Sequence, residues 1–184
     1  MAINLVKGQR VDIGLQRVVV GLGWDPGTDL DLSAFMLGAN KKLVTEDYLI
    51  FYNNLESPDG AVAHSGDDRT GESSDGDDDE AMTIDLGKLS PAVTEIIFTA
   101  TIHDGHVSNT NFGQVSDSYI RIYDANNPSN ELCKYELSED FSVESCVEFG
   151  RLYKRDGRWR FEAMGVGYRH GGQQPLQVLV NRYT

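Results

Sequence analysis

The sequence predicts an all-β fold: a two-sheet β-sandwich with acidic metal-binding loops and little helix. Three observations lead there. Short β-branched and aromatic runs recur along the chain, turn residues separate them at fairly regular spacing, and carboxylates gather in two loop-like segments. At 184 residues the chain fits a single domain, 1–184, long enough to bury a real core. Its 40% hydrophobic content is below the usual globular level but above that of disordered chains.

The elements follow in order. "RVVVGLGWD" (17–25) is β-branched and bounded by glycine. In "DLDLSAFML" (29–37), Leu30, Leu32, Ala34 and Met36 alternate with Asp29, Asp31 and Ser33, the period of a strand. "DYLIFYNN" (47–54) and "EIIFTATIHD" (95–104) are near-continuous apolar runs, predicting central strands buried on both faces. "MTIDLG", "SYIRIYDA" (118–125), "ELCKYELSED" (131–140) and "SCVEFGRLYKR" (145–155) are strand-like as well. Asp156-Gly157 then predicts a hairpin into "RWRFEAMGVGY", because a type I′ turn needs positive φ at both central residues. Only the C-terminal "PLQVLVNRYT" suits a short helix, with Pro175 at its start. No internal repeat is visible.

The formal charge of −13 argues against nucleic acid and anionic membrane surfaces as direct partners. Its distribution is more informative. From Asp67 to Glu80 eight acids face one base, Arg69, and Asp25, Asp29 and Asp31 form a second group. Together these segments hold ten of the thirteen net negative charges. Two cysteines, Cys133 and Cys146, make neither a disulfide framework nor a zinc site. With no apolar leader and no transmembrane segment, the expectation is a cytoplasmic protein.

A block of like charge is in general a solvated linker. Here it sits between strand-like segments, it is broken by Gly66, Gly71 and Gly76, and a second acidic group lies between two other strands. Two carboxylates about 5 Å apart repel by roughly 3 kcal/mol at an effective dielectric near 20, so packing several together calls for a cation. Oxygen donors without His or Cys suit Ca²⁺ or Mg²⁺, and a flexible, glycine-broken loop favours Ca²⁺. An EF-hand does not fit. Counting from Asp75 puts Glu80 at position six and Leu86 at twelve; counting from Asp29 puts Ala34 and Asn40 there.

Taken together, "VVVGLGWD…DLDLSAFML", "FYNN…SPDGAVAHSGDDRTGE", "DGDDDE", "IIFTATIHDG", "FGQVSDSYIRIYD" and "FGRLYKRDGRWRFEAMGVGY" resemble the TerD family, the bacterial tellurite-resistance and general-stress group. The resemblance runs from about residue 5 to 168. It implies a β-sandwich that binds calcium through these acidic loops, in a protein with no demonstrated catalytic activity; the eleven acids, with backbone carbonyls, could serve two ions. The family's calcium positions correspond by resemblance to Asp25, Asp29 and Asp31, and to Asp67, Asp68, Gly71 (through its carbonyl), Glu72, Asp75, Asp77, Asp78 and Glu80. This chain departs from the family in three places. It has Asp68 where Asn is usual, about two extra residues between Glu72 and Glu80, and Gly27-Thr28 where an acid is common.

Other motifs carry less. "GLGWDPG" echoes a dinucleotide fingerprint, but Pro26 occupies the third glycine position and a strand pattern follows. His103 and His106 flank a turn as ordinary loop residues do, the two cysteines lie in apolar strands where thiols are inert, and His64 with Ser65 lacks a third triad member. The leading expectation is a calcium-dependent interaction module whose partners are other stress or tellurite-resistance proteins, paralogues included. The alternatives are a metal-dependent phosphoesterase and a simple calcium buffer. Arg69 stands alone among the carboxylates, which leaves a phosphoesterase without the basic cluster that a phosphate needs.

Overall fold

The computed structural model describes residues 3–24, 29–65, 78–108, 111–115, 118–136, 141 and 143–184. Its strands are β1 (Ile3–Asn4), β2 (Arg10–Asp12), β3 (Arg17–Gly23), β4 (Leu30–Leu37), β5 (Leu49–Ile50), β6 (Val62–His64), β7 (Glu80–Asp85), β8 (Glu95–Ile102), β9 (Tyr119–Asp124), β10 (Asn127–Glu136), β11 (Cys146–Arg155) and β12 (Arg158–Tyr168). Among the described residues a single-turn helix, α1 (Gly105–Ser108), and the C-terminal α2 (Pro175–Tyr183) accompany the strands, with three short 3-10 turns.

Two six-stranded sheets face one another. The first has the order β1-β10-β9-β3-β7-β6 and the second β2-β12-β11-β8-β4-β5. All pairings are antiparallel except β1 with β10. Alternate residues of each strand enter a common core: Val18, Val20 and Leu22 from β3, Leu30, Leu32, Ala34 and Met36 from β4, Ile96, Phe98, Ala100 and Ile102 from β8.

The second sheet is buried on its outer face too. There Phe35, Leu37, Leu49, Ile97 and Cys146 meet Leu176, Leu179 and Tyr183 of α2. All eight residues of β4 are therefore buried, the polar half of its alternation included, with Asp31 3% and Ser33 0% exposed. A bulge between Glu148 and Gly150 shifts the register of β11, so Glu148 and Arg151, three apart, both face this outer side. Glu148 accepts hydrogen bonds from Tyr168 and Tyr183, which fastens α2 to the sheet.

The hairpin at Asp156-Gly157 has φ of 54° and 76°, as its turn requires. The expectation for 47–54 fails: only Leu49 and Ile50 form a strand, at the sheet's edge. Asn54 is the reason. Its Nδ2 donates to the carbonyls of Asp47 and Leu49, and its backbone exchanges hydrogen bonds with Phe51, closing the segment into a turn.

Candidate metal centre

β3 and β7 run side by side in one sheet, and β4 begins in the other. Their ends bring Asp29, Asp31 and Glu80 to one corner of the sandwich. β5 covers only Ala34 and Phe35 of β4, leaving the strand edge open at Leu32. Two side chains from the opposite sheet close it. Glu80 Oε2 accepts the Leu32 N–H at 2.7 Å, and His64 Nε2 donates to the Leu32 carbonyl at 3.0 Å. The two side chains are 3.4 Å apart, with Glu80 1% and His64 7% exposed. His64 is thus a structural residue that the sequence reading set aside.

Asp31 lies next to this pair. Burial, then the charges of Glu80 and Asp29, push its carboxyl from the ordinary value near 3.8 up to about 7. Its Oδ2 is 3.1 Å from His103 Nδ1, and the His103 N–H donates to the Asp29 carbonyl at 2.8 Å. Burial would lower His103, but the hydrogen bond to Asp31 and the charges of Asp31, Asp104 and Asp29 raise it. Its ring stacks edge-on against Tyr52. His103 therefore belongs to the corner as a partner of Asp31, and the alternation in "DLDL" gave no sign of that pairing.

Asp78 turns elsewhere. Its Oδ1 accepts from Arg121 Nε at 2.8 Å and from the Tyr119 hydroxyl at 3.2 Å. It rests across Gly21, where a Cβ would fall 2.0 Å from the Asp78 carboxylate; a Cβ at Gly23 would likewise strike the Tyr119 ring. The two glycines of "GLG" thus clear space on β3 for Asp78 and Tyr119, a reason unconnected with a nucleotide. Asp79 continues the ladder, donating to the Leu22 carbonyl and accepting from the Trp24 N–H, each at 2.9 Å. Asp25, Asp67, Asp68, Gly71, Glu72, Asp75 and Asp77 lie outside the described residues. Among the described residues, no group of three His, Cys, Asp or Glu side chains is arranged to hold a metal ion.

The TerD domain model matches residues 1–183. The chain belongs to the TerD family. It is 44% identical to the tellurium resistance protein TerD of an Alcaligenes species, over 93% of each chain. It is also 44% identical to general stress protein 16U of Bacillus subtilis strain 168, again over 93% of each. A crystal structure of a homologue of telluride resistance protein (TerD) from Streptomyces coelicolor A3(2) superposes with a TM-score of 0.72 at 25% identity, covering 93% of this chain and 99% of that one. Membership of a tellurium-resistance and stress-response family follows, as does the shared β fold. Among the described residues no helix is long and apolar enough to cross a membrane.

The thiols of this TerD chain are buried. Cys133 and Cys146 are 1% and 0% exposed, and burial pushes both up to about 12. Cys146 also donates to the Pro175 carbonyl. A thiol reagent should therefore label the native protein at least roughly a hundredfold more slowly than the denatured protein at neutral pH. Stopped-time alkylation read by mass spectrometry checks this, and fast native labelling of both would point to a redox role.

Proposed function

We propose that this protein binds Ca²⁺ through its acidic corner and acts as a calcium-dependent interaction module within a tellurite-resistance and stress-response system of the cytoplasm, without catalytic activity. The observation that carries the reading is the convergence of Asp29, Asp31 and Glu80 in one corner, where burial first and then repulsion from Glu80 and Asp29 raise Asp31. A divalent cation relieves that repulsion, and carboxylate oxygens are the donors that Ca²⁺ takes. The names of the relatives, for tellurium resistance and general stress, support the cellular setting.

Asp29 and Asp31, at the start of β4, and Glu80, from β7, do not make a metal site by themselves and would each contribute to one. By resemblance Asp25, Asp67, Asp68, Gly71, Glu72, Asp75 and Asp77 would complete the shells of two ions. Bound calcium would neutralise the most acidic end of the molecule and fix the surface it offers to other stress or tellurite-resistance proteins.

Calorimetry on chelator-stripped protein tests the metal. Ca²⁺ should bind at least about tenfold tighter than Mg²⁺, because a glycine-broken loop suits a large, flexible coordination shell. Equal affinities, or no heat with either ion, would count against the proposal. Capture of partners from the native cell with and without chelator tests the module, which requires that some be lost when calcium is removed.

A further inference from the structure

A second site lies about 20 Å from the acidic corner, six residues along β4, on the outer face of the second sheet. Here the sheet is left uncovered between α2 on one side and the N-terminal turn on the other. The result is a bay of about 520 Å³, within the range of small-molecule sites. Leu37, Ile97, Ala163, Met164 and Val166 make its floor.

Both walls are fixed by the fold. Gly8, at φ 88°, donates to the Ala163 carbonyl at 2.8 Å and sets the turn that carries Lys7. Across the bay, Arg182 and Tyr183 end α2. Tyr183 is tied to Glu148 and its carbonyl to the Leu43 N–H at 2.8 Å, while Lys42 Nζ holds the Arg182 carbonyl. A bay with such walls needs little ordering to receive a ligand.

Its charge runs against that of the chain. Arg151 stands between Glu95 and Glu162, 2.6 and 2.7 Å from them, so each of its acids is already paired. Lys41 adds a second cation to Glu95 at 3.1 Å, and Arg10 a second to Glu162 at 3.5 Å. Lys7 and Arg182 line the bay with no carboxylate within ion-pair distance among the described residues. Arg182 stacks on the rings of Tyr168 and Tyr183, with the Glu148 carboxylate that their hydroxyls hold behind them. Four cations, Lys7, Lys41, Arg151 and Arg182, thus line the bay against the carboxylates of Glu95 and Glu162, a lining surplus of two positive charges on a protein of net −13.

We propose that this bay binds a small amphiphilic anion, a carboxylate or phosphate monoester with an apolar body, its anionic group between Lys7 and Arg182 and its body on Ile97, Met164 and Val166. The apolar floor excludes a simple inorganic ion as the best ligand, since much of the binding would come from burying that floor. The cationic rim excludes a neutral or cationic amphiphile. The bay shares no lining residue with the acidic corner.

Four eight-carbon probes test this on the full-length, calcium-loaded protein: octanoate, octyl phosphate, octan-1-ol and octylammonium, followed by methyl NMR. Octanoate and octyl phosphate should shift the Ile97, Met164 and Val166 methyls. Octanol should bind at least about tenfold more weakly and octylammonium not detectably. Whichever anion binds tighter identifies the head group. Lys7→Gln removes an exposed side chain without touching the core, and should weaken both anions roughly threefold while leaving octanol unchanged. Equal binding of all four probes, shifts confined to other residues, or no shift at millimolar ligand would each overturn the proposal.

Discussion

Glu80→Ala is expected to cost the calcium-free fold about 3 kcal/mol and to abolish high-affinity calcium binding at the corner. Glu80 is 1% exposed and accepts the Leu32 N–H at 2.7 Å. Truncation leaves that buried donor without its acceptor and takes from His64 the carboxylate beside it. Glu80→Gln separates the two effects. A glutamine carbonyl still accepts from Leu32, so most of the stability should return, yet the charge that would draw a cation is gone. In the absence of calcium the glutamine variant should also lower the Asp31 carboxyl toward its ordinary range, because one of the two charges that raise it has been removed. Urea denaturation and calcium calorimetry on both variants decide the matter. Loss of calcium binding in the alanine variant alone would make Glu80 a purely structural residue.

The same corner marks how far the sequence could be read. Alternation identified β4, apolar runs β8 and β11, and turn chemistry the Asp156-Gly157 hairpin, because each depends on patterning within a few residues. The distribution of charge also showed the two acidic groups that the fold joins through Asp31 and Glu80. Whatever depended on partners distant in sequence stayed out of view. The run 47–54 is apolar enough for a core strand, but Asn54 folds it back on itself. His64 had no triad to belong to, and its use appears only when a short β5 leaves Leu32 open 32 residues away. Among the consecutive acids 78–80, spacing could not separate the roles. Asp78 goes to Arg121, Asp79 to the Trp24 N–H and Glu80 to Leu32. The pleat sends neighbours to opposite faces, and only the register of β7 against β3 fixes which acid points inward.

Calcium is expected to reverse the sign of the corner's pH dependence. In the metal-free protein the Asp31 carboxyl is raised from near 3.8 to about 7 by burial, Glu80 and Asp29. A group raised on folding contributes stability that is complete below its unfolded value and lost as pH climbs through the folded one. His103, also raised, acts in the same direction. Stability of the chelated protein should therefore fall between about pH 5.5 and 8 by an amount on the order of 2 kcal/mol, relative to an Asp31→Asn variant measured alongside. With calcium the carboxylate is held ionised, and the protonated form becomes the competitor. Stabilisation by the ion should then grow as pH rises through 7, reaching about 2.7 kcal/mol per site at a hundredfold excess over Kd. Binding at pH 6.5 should release protons, and binding at pH 9 should not. Calorimetry in buffers of different ionisation enthalpy counts those protons directly. Parallel pH profiles with and without calcium, together with no proton release at pH 6.5, would place the ion away from Asp31 and leave its carboxyl paired to His103 alone.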